Sequence, residues 1–250
     1  MREVAAVRYV TALREGGSLP GLVEGDDDGL YVLKFRGAGQ GPLALAAEVI
    51  SGEIARTLGF AVPELVLMEV DPELGRAEPD PEIQELILAS GGINLGVDFL
   101  PEALSYSPAA GLQPDTDLAA AVVWLDALLT NVDRTARNPN LLVWHERLWL
   151  IDHGATLYLQ HAGLRPAEGA TRPFPQIAEH VLLPRAGSIA AADERLAAQL
   201  DSGALERIAA LVPRDWLVRD PASTYVEYLA LRLQPPRVFV EEADRARRAS

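Results

Sequence analysis

The sequence predicts an α+β protein in two lobes, a β-rich first lobe and a mainly helical second. Three observations carry this. Short apolar runs bounded by Gly, Pro and Asp dominate the first hundred residues. The stretch 101–114 is rich in Pro, Ser and Gly and marks a boundary. From Asp115 onward apolar residues recur at helical spacing. The division is placed between 1–103 and 104–250. The chain has 250 residues, 49% hydrophobic and 23% charged, ordinary for a globular protein.

The elements follow in order. Residues 2–11 form a first strand with Tyr9 and Val10 inward, broken by Gly16-Gly17 and Pro20. Gly21–Gly25 and Leu30–Phe35 form a hairpin around Asp26-Asp27-Asp28-Gly29, a strong turn signal. The glycine-rich run Arg36–Gly41 lets backbone N–H groups approach phosphate, or merely joins strand to helix. Pro42–Leu58 is a helix with Pro42 in its first turn and Gly59 as C-cap. Its apolar stripe is Ala46, Val49, Ile50, Ile54 and Leu58. Pro63–Val70 is a strand, Asp71–Pro81 a loop, and Glu82–Ala89 a short helix or strand. Asn94–Leu100 is strand-like and Pro101–Pro114 a linker. Asp117–Leu129 is a helix with Leu118, Val122, Leu125 and Leu129 on its core face. Tyr158–Arg185 is mostly irregular. Four helices follow, at 188–200, 202–211, 222–234 and 235–248, with Trp216 in the core between them.

Composition excludes several classes. A net charge of −14 argues against nucleic acid as the main partner, because phosphate backbones require clustered Lys and Arg. With no cysteine, disulfide scaffolds and thiolate metal sites are out. No apolar run approaches 18 residues, so no membrane span is expected. Residues 1–20 hold Arg2, Arg8, Arg14 and Glu15 and no signal-peptide core, which makes the cytoplasm the expected location. The four histidines lack zinc-ligand spacing.

The chemistry is concentrated in Leu129–Ala155. Asn131-Val132-Asp133-Arg134 interrupts the apolar helix with turn-favouring residues. Leu141–Trp144 and Leu148–Ile151 form a hairpin around His145-Glu146-Arg147, ending at Asp152-His153-Gly154. Asp133, Asn138 and Asp152 then share the ends of one hairpin. A polar-flanked hairpin would explain any one of them alone. Together they match what phosphoryl transfer from magnesium-ATP requires: a carboxylate to orient the acceptor, and an amide and a second carboxylate for the metal. Asp133 and Asn138 have the D-x-x-x-x-N spacing of a kinase catalytic loop. Lys and Arg total 22, and one of these is lysine. That residue, Lys34, lies within an apolar strand, where a compact ammonium suits phosphate oxygens. Of the two acids on the following helix, Glu53 falls within the apolar stripe and Glu48 nearly opposite. Periodicity therefore nominates Glu53 as the partner of Lys34.

These segments (YVLKFRGAGQGPLAL, AAEVISGEIARTLG with FAVPE, NVDRTARNPNLL and LWLIDHG) make the chain resemble a HipA-like kinase, within the wider set that includes protein kinases and phosphatidylinositol kinases. The resemblance spans roughly residues 20–155. It implies a bilobal protein-kinase-like fold and an ATP-dependent phosphotransferase using Mg2+. It implies Lys34 on the α and β phosphates and Glu48, against the periodicity, as its acid partner. It implies Asp133 as the catalytic residue that orients the acceptor, with Asn138 and Asp152 as metal ligands. Two departures stand out: the 26–28 turn is acidic, and Arg134-Thr135 follows Asp133 where relatives often carry His. The expected activity is Ser/Thr protein phosphorylation, with Thr171 and Ser188 as autophosphorylation candidates. A small-molecule kinase of antibiotic or sugar type is the alternative, favoured by an acidic patch beside Asp133. A non-catalytic nucleotide-binding scaffold is the third reading.

Overall fold

The computed structural model describes residues 1–13, 19–39 and 41–250, with Ala77 by its backbone alone. In chain order the elements are β1 (Arg2–Ala12), β2 (Gly21–Gly25), β3 (Leu30–Lys34), α1 (Pro42–Thr57), β4 (Leu65–Val70), α2 (Pro81–Ala89), β5 (Gly92–Asp98) and β6 (Leu104–Ser105). Then come α3 (Thr116–Leu129), β7 (Leu141–Trp144), β8 (Arg147–Leu150), α4 (Pro166–Gly169), α5 (Ile189–Leu196), α6 (Ser202–Ala209), α7 (Ala222–Arg232) and α8 (Val238–Ala249). The chain packs as two units: Met1–Leu45 with Pro63–Pro101, and Ala46–Val62 with Glu102–Ser250. The helix expected in the first lobe thus joins the second unit from Ala46 onward. The expected cut at 103/104 falls instead at Pro101/Glu102.

The first unit is a closed barrel in the order β1-β2-β3-β5-β4. Its neighbours are antiparallel except β1 and β4, which run parallel (Arg2↔Val66 to Ala5↔Glu69) and close it. The sequence alone suggests an antiparallel sheet plus one helix for this lobe; the parallel β1–β4 contact corrects that, and because it spans some sixty residues it leaves no trace in local periodicity. Val4, Ala6, Val23, Leu33, Phe35, Val66, Met68 and Val70 fill the interior, with Ile83 and Ile87 of α2. The inward residues of β1 are Val4, Ala6 and, partly buried against the core as expected, Tyr9, while Val10 is exposed. Register shifts between Ala6 and Arg8 and between Tyr9 and Thr11 interrupt the pairing of β1, and adjacent strand residues such as Tyr9 and Val10 point to opposite faces. The expected loop 71–81 contains a 3-10 turn over Pro72–Ala77, capped by Asp71. Asp80 likewise caps α2, so Pro and acid here mark helix starts.

In the second unit, α3 is buried from Ala119 to Leu129 on every side, not on one face, and Leu118 is only partly covered. It packs on α5 and α8, and Trp124 Nε1 donates to Asp193 Oδ1 at 2.8 Å. The expected linker 101–114 contributes β6, which pairs Leu104 with Val143 and makes the β7–β8 hairpin a three-stranded sheet. The segment 158–185 is a string of short helical turns. Asp115, Ser188 and Asp201 cap α3, α5 and α6 through their side chains. Trp216 is fully enclosed. Among the described residues no helix is long and apolar enough to cross a membrane.

Candidate active site

The site grows out of the end of α3. Thr130 caps the helix in the left-handed conformation, its N–H bonded to the Asp126 carbonyl, and turns the chain into Asn131. Asn131 is buried, donates from Nδ2 to Asp126 Oδ1 at 2.9 Å, and accepts from the Asp133 N–H at 3.1 Å. Asp133 is thereby presented at the surface of a rigid loop. Its Oδ2 accepts from Asn138 Nδ2 at 2.8 Å and from Asn140 Nδ2 at 3.1 Å. A carboxylate only accepts hydrogen bonds, so both amides must turn their NH2 toward it.

Beneath this loop lies Arg134, almost fully buried. Its Nε donates to Asp126 Oδ2 at 2.6 Å, and its Nη1 to the Asn140 carbonyl and, at 3.4 Å, to that of Ile151. His180 Nε2 meets the same Asp126 oxygen at 2.9 Å, and His180 Nδ1 accepts from the Leu182 N–H. Burial pushes the Asp126 carboxyl up, but Arg134, His180 and Asn131 outweigh it and hold it well below the carboxylate range. The departure at Arg134-Thr135 thus has a structural role: the arginine is an internal strut.

The hairpin turns at His145 and Glu146, both at positive φ (47° and 57°), a two-residue turn whose twist matches the strands. At its other end the Ile151 N–H bonds the Asn140 carbonyl at 3.1 Å. Asn140, which holds Asp133, and Ile151, which precedes Asp152, are therefore paired. Asp152 is exposed and left-handed (φ 54°), a conformation costly for a residue with a side chain. Because Asn138 spends its NH2 on Asp133, its amide oxygen and, separately, the Asp152 carboxylate are the oxygens that could hold a cation. Among the described residues no three His, Cys, Asp or Glu side chains are placed to hold a metal. This donor set fits magnesium, which takes one or two protein oxygens when phosphates supply the rest.

On α1, Glu48 is buried and Glu53 only partly so, the reverse of the nomination by periodicity. Glu53 pairs with Arg56 at 3.3 Å. Glu48 lies 3.6 Å from His153 Nδ1 of the Asp152-His153-Gly154 turn. Ser51 on the next turn shares a 2.6 Å hydrogen bond with Thr156. The stripe argument failed because α1 is enclosed on more than one face: Ala47, Glu48 and Ser51 are as buried as Ala46 and Val49.

In the first unit, Lys34 ends β3 opposite Leu95. In the glycine-rich run behind it, the Arg36 N–H bonds Asn94 Oδ1 at 2.7 Å and the Gly37 N–H bonds Ser90 Oγ at 3.2 Å. Those of Ala38 and Gly41 bond the carbonyls of Phe35 and Ala38. These four amides are spent within the protein, which counts against this run as the phosphate cradle. The acidic turn 26–29 lies at the far end of β3, at least five residues or roughly 16 Å along the strand from Lys34. Its Asp27 bonds Arg2 and Tyr31, both at 2.7 Å, and is lowered to about 2 by those bonds. The last residues of β1 and the first of β2 are at the Lys34 end: Ala12 pairs with Gly21, Gly21 with Leu33, and the Leu13 N–H bonds the Pro20 carbonyl at 2.7 Å. Gly16-Gly17, read only as a strand break, and Gln40 lie outside the described residues.

Sequence reasoning missed Asp126, His180, Asn131 and Asn140, and Asn94 and Ser90 under the glycine run. Asp126 had a signal: an aspartate inside AAAVVWLDALL must have a buried partner.

The comparisons bear on the family and the fold. A family model described as HipA-like kinase matches residues 7–234. The Helicobacter pylori proinflammatory kinase CtkA is similar in structure at a TM-score of 0.57 and 14% identity, over 94% of this chain and 96% of that one. The Golgi casein kinase with Mn/ADP bound is similar at 0.52 and 14% identity, over 97% of this chain and 73% of that one. No curated protein matches in sequence. The fold is the α+β protein-kinase-like one, and a family match over nearly the whole length supports a phosphotransferase: the chain belongs to the HipA-like kinase family.

Proposed function

We propose that this chain is a magnesium-ATP-dependent kinase that phosphorylates a Ser or Thr hydroxyl on a protein. The observation that carries the proposal is the double anchoring of Asp133 Oδ2 by Asn138 and Asn140. It leaves Oδ1 without a donor among the described residues, open to orient an acceptor hydroxyl and take its proton. Lys34 contacts the α and β phosphates, and Glu48 is its acid partner; the burial of Glu48 supports choosing it over Glu53. Asn138 Oδ1 and the Asp152 carboxylate hold the metal. Bound magnesium supplies charge neutralisation on the phosphate oxygens. The Golgi casein kinase structure with Mn/ADP supports a nucleotide and a divalent cation. Cytoplasmic action belongs to the same proposal, in keeping with a cysteine-free composition.

Thr171 and Ser188 are poor autophosphorylation sites. Ser188 Oγ caps α5 at 3.1 Å. The carbonyls on either side of Thr171, Ala170 and Arg172, are gripped by the buried Arg232. The acceptor is therefore read as another molecule.

The test is transfer of the γ-phosphoryl group from ATP to a protein acceptor. Lys34→Ala, Asp133→Ala, Asp152→Asn and Glu48→Gln are expected to keep the native circular dichroism. The first three should lose about 100-fold or more in rate, and Glu48→Gln most of its activity. Full activity in Asp133→Ala would sink the catalytic assignment.

A further inference from the structure

A lone aspartate inside an apolar helix costs several kcal/mol unless both oxygens are used. Asp126, with no exposed surface, uses both, and the bonds lead to the two carboxylates assigned to the reaction. Oδ1 leads through Asn131 to the Asp133 backbone, in steps of 2.9 and 3.1 Å. Oδ2 leads through Arg134 to the carbonyls of Asn140 and Ile151. Asn140 donates to Asp133 Oδ2, and Ile151 is bonded to Asp152 in the chain. One guanidinium therefore sits against both ends of the hairpin where they meet the site. His180 adds a third bond to Oδ2. Because its Nδ1 accepts from the Leu182 N–H, its proton lies on Nε2 and points at Asp126. The Val181 N–H bonds the Arg134 carbonyl at 3.1 Å, fixing that segment to the same loop.

We infer that Asp126 is a positioning residue, the hub that sets Asp133 relative to Asp152 through two separable arms, Asn131 and Arg134. The inference rests on the phosphotransferase reading above and adds residues that reading does not need. The Asn131 arm fixes the direction of Asp133 alone. The Arg134 arm fixes the hairpin ends, and with them the metal-side carboxylate. Lysine cannot replace Arg134, because a point charge cannot reach a carboxylate and two carbonyls with separate donors in one plane.

The test compares kcat, KM for ATP and the magnesium concentration for half-maximal rate in the unmodified chain, Asn131→Ala and Arg134→Lys, with near-ultraviolet circular dichroism to confirm folding. Asn131→Ala is expected to lose about tenfold or more in kcat, with KM for ATP within about twofold and an unchanged magnesium requirement. Arg134→Lys is expected to lose kcat and also to need several-fold more magnesium. A folded Asn131→Ala with kcat within about twofold of the unmodified chain overturns the inference, and so do two variants with the same profile. Should Arg134→Lys fail to fold, the kcat-against-KM split of Asn131→Ala decides alone. Calorimetric titration with Mg-ATP reads the Arg134 arm even if turnover is slow: equal affinity in a folded Arg134→Lys overturns that arm. An unmodified chain that neither binds nor turns over Mg-ATP overturns the kinase reading, and the inference with it.

Discussion

Both units carry exposed ion pairs, but among the described residues only the second holds a fully buried one. On the barrel, Arg2 bridges Asp27 and Glu64, and Arg8 pairs with Glu24, all at exposed or half-exposed positions. In the second unit the Arg134–Asp126 pair has no exposed surface at all. Arg232 is nearly as buried and forms no ion pair among the described residues. It donates instead to the carbonyls of Ala127, Leu128, Ala170 and Arg172 and stacks 5.1 Å from the Phe239 ring. Exposed pairs are screened by water and salt and contribute little. Enclosed ones are expensive to break, because the surviving partner is stranded. The barrel is thus held by its apolar interior, and its surface charges can change freely. The loops of the second unit are held by buried polar bonds, and geometry at Asp133 depends on each of them.

That contrast can be broken experimentally, and the largest effect is expected at its centre. Asp126→Asn strands Arg134 and should cost about 3–5 kcal/mol, lowering Tm by roughly 6–20 °C at about 2–4 °C per kcal/mol in a chain this size. The same carboxyl gives a pH signature. Its folded pKa lies below the unfolded value of about 4, so its contribution is complete above that pH and is lost as pH falls through the folded value. Asp126→Asn should flatten that part of the acid limb in urea titrations at stepped pH; an unaltered limb would count against the buried pair. Next in size is a barrel core truncation. Met68, fully enclosed, should cost about 2–5 kcal/mol as Met68→Ala, with no dependence on salt. Glu53→Gln should change stability by less than about 0.5 kcal/mol and leave transfer intact, which sharpens the contrast with Glu48. Arg2→Ala should be smaller still, and its effect should fade in high salt.

Much of this was legible from sequence, and the failures have a common cause. The hairpins, α1 with Gly59 at φ 85°, and the D-x-x-x-x-N loop are local features written in turn and cap residues. What periodicity could not supply was closure. The β1–β4 pairing, the burial of α3 on every side, and the burial of Glu48 rather than Glu53 all depend on residues far away in the chain. The same holds for Asp126, whose partners His180 and Arg134 lie 54 and 8 residues on. The functional residues stood out as chemistry, whereas the residues that aim them looked like ordinary core or loop. An isolated acid in an apolar helix was the one visible warning.

The most direct test of the kinase reading is thermal unfolding with and without Mg-ATP, on the unmodified chain and on Asp152→Asn. Ligand at about 100 times Kd adds roughly 2.7 kcal/mol, a rise of roughly 5–11 °C for a chain of this size. The account predicts that rise in the unmodified chain, its dependence on magnesium, and its loss in Asp152→Asn. No rise in the unmodified chain, or an equal rise in both, would contradict it.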